Sequence, residues 1–389
     1  MIKYCSICLN HEGDYFNPEV EEKIRTKSNK VGNKDRICTV CRFELKKKNN
    51  LINWERRLKS LKRICEWGKK NTSSKYDCIV TVSGGKDGLR QAHIARDELG
   101  MNPLLVSLVY PPEQLHDRGA ENLSNLIKLG FDCISLTLDP IKWKELMKHG
   151  FLKFGNFFRS TEMALFAVPV HVAIAYQIPL MFYGENPLYT VAHGTKNEGT
   201  GGSGQRIQEG NTIKGGPKSL KYKKATNQDL HFYEYPTYEE MKKARIKIVY
   251  LGYYVKDWYG WNNGKFAIER GLKTRDDKPW NMGDLWGISA LDENFRIVNQ
   301  HLKFLKRGFG HVTDQVCEAI HLGKMTREEA IENVKNYDGS CDEKYIQQLC
   351  EYLNISEKEF HDTKNKFVNK KLFEFLNGKW LPKFNVGQI

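Results

Sequence analysis

The chain has 389 residues, 40% of them hydrophobic and 28% charged, and a formal net charge of +14 from 61 Lys+Arg against 47 Asp+Glu. Those values belong to a globular chain long enough to bury a core without disulfide help, and the length calls for two or three structural units. No run approaches the ~20 apolar residues of a membrane span, and the start, MIKYCSICLN, lacks the basic and apolar regions of a secretory signal. Membrane spanning, secretion and wholesale disorder are therefore not expected, and a cytoplasmic location is. The basic surplus suits RNA, an anionic surface or a phosphorylated small molecule. It is scattered in short runs such as Lys69-Lys70 and Lys242-Lys243, the pattern of solvated helix faces.

Four of the ten cysteines form two pairs, Cys5-Ser-Ile-Cys8 and Cys38-Thr-Val-Cys41, with 29 residues between them. Two thiolates separated by two residues can reach one ion from a tight turn, and two such turns complete a tetrahedral, closed site that suits structural zinc. A redox dithiol would open a helix after a strand, and neither pair sits in such a context. A zinc-ribbon-like unit is expected over residues 1–50. The other thiols show no paired spacing. Cys78 and Cys133 lie in apolar strand-like runs and read as buried small hydrophobes.

Cys78-Ile79-Val80-Thr81-Val82 is a short β-branched run of the kind found in a buried parallel strand. Ser83-Gly84-Gly85-Lys86-Asp87-Gly88 interrupts it, and Leu89 to Leu99 follows with helical spacing up to Gly100. A strand, a glycine turn and a helix N-terminus make a phosphate cradle. Backbone N–H groups reach the anion, the helix dipole favours negative charge, and Lys86 adds a cation. The spacing is neither GxxxxGK[ST] nor GxGxxG. Further strands are expected at 103–109, 133–138 and 179–183, and helices at about 117–129, 141–149 and 164–176. Such alternation predicts a parallel sheet covered by helices on both faces, with ligands beyond the carboxyl ends of the strands. Gly184-Glu185-Asn186 ends the fourth strand. Asp87 and Glu185 would then face one phosphate pocket and could hold Mg²⁺, although Glu185 also reads as an ordinary turn carboxylate.

Residues 194–219 are glycine-rich and polar. They read as a disordered insertion, or as a lid bringing Lys196, Arg206 or Lys214 to phosphates. The aromatic stretch 250–261 either stacks on a ring or packs a domain edge. Residues 292–340 look helical, with a helix start at Thr326. Arg307, His311 and Asp314 are candidates for substrate contact, with helix capping by Thr313 or Asp314 the alternative. The last forty residues suggest an amphipathic helix and a tail. The units are expected to be a ribbon over 1–50, an α/β domain over 51–260 and a helical region over 261–389.

The loop resembles the SGGxDS loop of the PP-loop ATP pyrophosphatases, whose members have an adenine nucleotide α-hydrolase-like fold and cleave ATP to AMP and pyrophosphate. Its closing Ser is Gly88 here, which removes a hydroxyl donor and keeps the backbone N–H. The order of features resembles one subgroup, the N-acetyl sugar amidotransferases of lipopolysaccharide, O-antigen and flagellin glycan biosynthesis. The matching stretches are KYCSIC, RICTVC, INWERR at 52–57, YDCIVTVSGGKDG, GMNPLLVSL, NLIKLGFDCI, YGENP, YLGYYVKDW at 250–258 and the run from Gly310 to Gly339. The resemblance implies ATP, Mg²⁺ and structural Zn²⁺, with Ser83, Gly84, Gly85, Lys86, Asp87, Gly88, Ser107 and Gly184 around the nucleotide. It implies that Asp87, Lys86 and Glu185 serve the chemistry. Members turn an N-acetyl group of a bacterial sugar, of diacetamido uronic, pseudaminic or legionaminic acid type, into an acetamidino group. No glutaminase signature is present, so a separate glutaminase, with or without a barrel-fold channel subunit, is implied as the ammonia source. The rivals are a tRNA sulfurtransferase of the same superfamily, against which the isolated thiols weigh, and a catalytically silent ATP-binding subunit. Nucleic acid is not the expected partner.

Overall fold

The structure, a computed structural model, describes residues 2–12, 36–186, 202–209 and 213–389. Lys196, and with it part of the glycine-rich stretch, lies outside the described residues.

A two-residue pair, β1 (Lys3–Tyr4) and β2 (His11–Glu12), is followed by helices α1 (Thr39–Lys48) and α2 (Trp54–Asn71). The central layer then begins with β3 (Cys78–Thr81), α3 (Lys86–His93), β4 (Pro103–Leu108), α4 (Asp117–Lys128), β5 (Cys133–Leu136), α5 (Pro140–Phe154), α6 (Arg159–Ala175) and β6 (Leu180–Tyr183). It closes with α7 (Tyr238–Lys243) and β7 (Lys247–Tyr250). The five strands are all parallel, in the order β5-β4-β3-β6-β7. Chain order therefore reverses between β3 and β6, and such a reversal opens a crevice at the carboxyl ends of the strands. The fifth strand, KIVY, was not among the expected ones. Its outer edge is covered by the described residues 202–204: Tyr250 donates to Gly202 O at 2.7 Å and Gly204 donates to Ile248 O at 2.9 Å.

Strand alternation sorts side chains into two cores. Ile79, Leu104, Val106, Met181 and Ile248 point into one, packed by Trp143, Leu146 and Phe151 of α5 and Ala164 and Val168 of α6. Cys78, Val80, Leu105, Phe182 and Val249 point into the other, with Leu61 and Cys65 of α2, Leu89 and Ala92 of α3 and Leu126 of α4. Both faces of the sheet are thus covered, as the alternation in sequence demands. Cys78 is buried as expected, whereas Cys133, on the edge strand β5, is only half-buried. The helix expected over Leu89–Leu99 starts earlier, at Lys86, and its last turn widens into a π-helix over Ile94–Glu98. The described parts of 194–219 contribute to the first core, in which Ile207 and Ile213 are buried.

Beyond the sheet come α8 (Gly260–Ile268), the single turn α9 (Pro279–Met282), α10 (Phe295–Arg307), α11 (His311–His321), α12 (Arg327–Tyr337), α13 (Glu343–Leu353) and α14 (Glu357–Phe367). The predicted capping box at Thr326 is formed, with Glu329 closing it. After α14 the expected tail is instead a hairpin, β8 (Phe373–Leu376) and β9 (Lys379–Pro382). A third core joins the two ends of the chain: Tyr4, Leu9 and the four paired cysteines pack against Val312, Val316, Ala330 and Val334. No helix among the described residues is long and apolar enough to cross a membrane.

Candidate nucleotide site and metal centre

The glycine loop leaves β3 at the point where strand order reverses. Gly84 has φ +83°, and a Cβ there would lie 2.8 Å from the backbone N of Leu123, so only glycine fits both the turn and the approach to α4. Gly85 is the N-cap of α3 and supplies no side-chain cap, which leaves the first-turn amides at Lys86, Asp87 and Gly88 for an anion. A Cβ at Gly88 would sit 3.1 Å from Cα, Cβ and Cγ1 of Val82. The departure from Ser at this position thus accompanies close packing of α3 onto the end of β3. Ser83 is exposed above the loop, and Ser107 is buried in β4 opposite Ser135.

Asp87 is held on both sides: Lys86 Nζ lies 2.9 Å from its Oδ2, and Asn263 Nδ2 donates to its Oδ1 at 2.7 Å. Asn263 in turn accepts from the buried Arg90 at 2.6 Å, and Arg90 also pairs with Asp257 at 2.7 Å. A Cβ on Gly184 would lie 3.5 Å from Asp87 Cβ, so the end of β6 abuts the first turn of α3. The next residue, Glu185, has an enclosed Oε2 with no hydrogen-bond partner. Burial above all, with the negative charge of Asp87 and against a backbone hydrogen bond that lowers it, brings its carboxyl up to about 7. Asn186 donates to Gly252 O at 3.1 Å, fixing the strand end beside the aromatic stretch. An unpartnered buried carboxylate facing a second acid fits a cation site better than a turn.

The raised carboxyl has a consequence for stability. The folded protein keeps a proton that the unfolded chain releases above pH ~4.5, so stability falls as pH rises from about 4.5 to about 7. Glu185→Gln is therefore expected to melt higher than the parent at pH 8 and equally at pH 5, in buffer without added divalent cation. Equal melting temperatures at both pH values would contradict this reading.

Arg307, His311 and Asp314 are not gathered into one cluster. Arg307 ends α10, with an electrostatic influence on the buried Glu162 of α6. His311 opens α11 with Nε2 3.1 Å from Ser289 Oγ and 3.6 Å from Asp284 Oδ2, whereas Asp314 pairs with Lys303 at 2.9 Å. Neither Thr313 nor Asp314 caps α11. Its first amides are taken by Asp338, which accepts from Gly310 and Val312 at 2.8 and 3.0 Å and from the Thr313 hydroxyl at 2.6 Å.

At the amino end, Cys5, Cys8, Cys38 and Cys41 are all buried with their sulfurs within 4.8 Å of one another. The Cys5–Cys41 and Cys8–Cys38 separations are both 3.7 Å. A tetrahedron with Zn–S bonds of about 2.3 Å has edges of about 3.8 Å, so the residues fit zinc. Backbone amides already point at the sulfurs: Cys38 N to Cys5 Sγ at 3.3 Å, Cys41 N to Cys38 Sγ and Asn10 N to Cys8 Sγ at 3.4 Å. Such donors accept the charge of thiolates. Among the described residues this is the one group of three or more Cys, His, Asp or Glu arranged to hold a metal.

Several residues at these sites carried no local signal in the sequence. Glu318 of α11 accepts from the Gly260 and Trp261 amides at 2.9 and 2.7 Å, capping α8 next to Lys86, and His321 Nε2 lies 3.2 Å from Cys41 Sγ. Both lie in the carboxyl-terminal region. Residues 290–384 match the family model described as LPS biosynthesis protein WbpG-like, C-terminal domain. That stretch is roughly a quarter of the chain and spans α10 to β9. The matched domain family is thus described as one of lipopolysaccharide biosynthesis. No curated protein matches the chain.

Proposed function

We propose that this protein is an ATP-dependent amidotransferase that converts an N-acetyl group of a bacterial surface sugar into an acetamidino group. The observation that carries the reading is the Ser83–Gly88 loop at the β3/β6 reversal, with Asp87 and the unpartnered Glu185 on either side of one crevice. The match to a lipopolysaccharide biosynthesis family supports a sugar as the second substrate.

An amide oxygen is a very poor leaving group, so the exchange needs activation. In the proposed reaction the N-acetyl oxygen attacks the α-phosphorus of ATP and pyrophosphate departs; ammonia then adds to the imidate carbon and AMP leaves with the oxygen. Mg²⁺ bound between Asp87 and Glu185 would neutralise phosphate charge. The chain's own part is positioning. The α3 amides and Lys86 receive the departing pyrophosphate, Asn263 keeps the Asp87 carboxylate in place, and Glu185, with its enclosed Oε2, would be the second carboxylate to hold a cation.

Five of the six thiols outside the cluster argue against sulfur transfer. Burial holds Cys65 and Cys350 up at about 11 and Cys341 at about 12, and raises Cys78 and Cys133 as well, so they stay in the unreactive thiol form. Incubation with ATP, Mg²⁺, ammonium and a panel of N-acetylated bacterial sugars should yield AMP together with a product one oxygen poorer and one nitrogen richer, seen by mass spectrometry. AMP-free incubations with every sugar would overturn the proposal, and sulfur gain by a tRNA panel would replace it.

A further inference from the structure

Two contact paths run from the tetrathiolate cluster to the start of α8, one to Gly260 and Trp261 and the other to Tyr259. The first goes through α11. His321 meets Cys41 Sγ at 3.2 Å, and one turn earlier on the same helix the Glu318 carboxylate accepts from the Gly260 and Trp261 amides. The second goes through α1, the helix that Cys38 caps and that carries Cys41. Its Glu44 accepts from the Tyr259 hydroxyl at 2.6 Å, while Lys47 lies 2.5 Å from that hydroxyl and 4.1 Å from the ring centre. Tyr259 is the N-cap of α8 and offers no side-chain cap of its own. The Glu318 carboxylate and the Glu44–Lys47 pair thus tie the start of α8 to helices that reach the cysteines. One turn into α8 stands Asn263, whose amide fixes Asp87 and whose oxygen fixes Arg90.

We infer that the metal centre positions the phosphate loop, with Glu318 as the positioning residue and α8 as the part that moves. The inference rests on the proposed nucleotide site but adds a link that the reaction does not itself require. The physical basis is plain. A thiolate held by zinc is a fixed, negative acceptor for the His321 N–H, whereas four thiols without metal offer a neutral and unfixed surface. Losing that acceptor frees the carboxyl end of α11. The Glu318 carboxylate is half-buried and its pKa is raised by burial; it is stabilised as an anion by the two α8 amides and by the nearby Lys86. It therefore depends on α8 being in place as much as α8 depends on it.

Such a link is reciprocal: if zinc tightens nucleotide binding by some factor, nucleotide must tighten zinc binding by the same factor. The test uses the full chain loaded with Zn²⁺ or Co²⁺, and Mg²⁺ with α,β-methylene ATP as the probe. Zinc removal should weaken probe binding about tenfold, and saturating probe should raise by a similar factor the free chelator concentration that removes half of the cobalt at equilibrium, read from the cobalt–thiolate absorption. In Glu318→Ala, which cuts the α11 path and leaves the Tyr259 contacts of α1, both factors should fall well below those of the parent with zinc still bound, and Glu318→Gln should restore part of the coupling through its remaining acceptor. A merely structural role would weaken binding in Glu318→Ala yet leave both factors at the parent's value, and that result overturns the inference. Hydrogen exchange supplies an arm independent of nucleotide. Stripping zinc should raise exchange over 260–268 while β3 and β4 stay protected; unchanged protection over 260–268 also overturns it. Failure of the metal-loaded parent to bind the probe would instead count against the proposed function, and the exchange arm would still decide the link.

Discussion

Asp87→Asn is expected to lower AMP formation by about a thousandfold or more while the protein stays folded. The substitution keeps an oxygen to accept from Asn263 at the 2.7 Å contact, so the tie to α8 survives. What disappears is the charge. The pair with Lys86 is partly exposed and contributes at most about 1 kcal/mol to stability, so thermal melting should shift by only a few degrees. Binding of nucleotide without Mg²⁺ should change little, because the loop amides are untouched. Steady-state AMP release, together with a melting curve, checks the expectation. Activity within tenfold of the parent would remove Asp87 from the reaction.

The second large effect concerns the cysteines. Cys8→Ser should empty the metal centre and cost several kcal/mol, seen as a fall of roughly 10 °C in the melting midpoint. The size follows from what the cluster holds. Cys8 is fully buried, and the four thiols share a core with Val312, Val316, Ala330 and Val334 of the carboxyl-terminal helices. Losing the metal therefore loosens both ends of the chain and not only the first fifty residues. Metal analysis and scanning calorimetry of the parent and the variant test this. A parent that carries no zinc, or a variant that melts with the parent, would contradict it.

The features legible in the sequence were those that local chemistry dictates. The alternating β-branched runs named four of the five parallel strands, because a strand buried on both faces must be apolar throughout. The SGGKDG turn announced itself by glycines that only a tight, close-approaching loop needs, as Gly84 bears out with its positive φ and its contact to Leu123. The CxxC pairs announced a four-sulfur cluster. By contrast, β7 is four residues that end where the aromatic stretch begins, reached from β6 by a connection of more than sixty residues, and its length is too short for a periodic signal. The carboxyl-terminal hairpin was hidden likewise: Trp380 and Phe375 pack on each other rather than into a large core. The supports of the candidate site were illegible for a different reason. Asn263 reaches Asp87 over 176 positions, and His321 reaches Cys41 over 280. Contacts of that span are set by the packing of α8 and α11, and no spacing rule within one segment encodes them.

The meeting of the two chain ends bears on the order of assembly during synthesis. Arg327 donates to the carbonyls of both Cys5 and Gly387, at 3.3 and 2.8 Å, and the Tyr4 amide lies 3.4 Å from Gln388 O. The first cysteines leave the ribosome hundreds of residues before the surface that covers them exists. Domains generally fold in the order they emerge, but this cluster must wait, with its thiols open to solvent, until α11 and α12 have been made. A nascent chain stopped short of residue 311 would carry an uncovered metal knuckle and an α8 without Glu318. Thiols made early and exposed for that long are open to wrong metals and to oxidation until the carboxyl-terminal helices cover them.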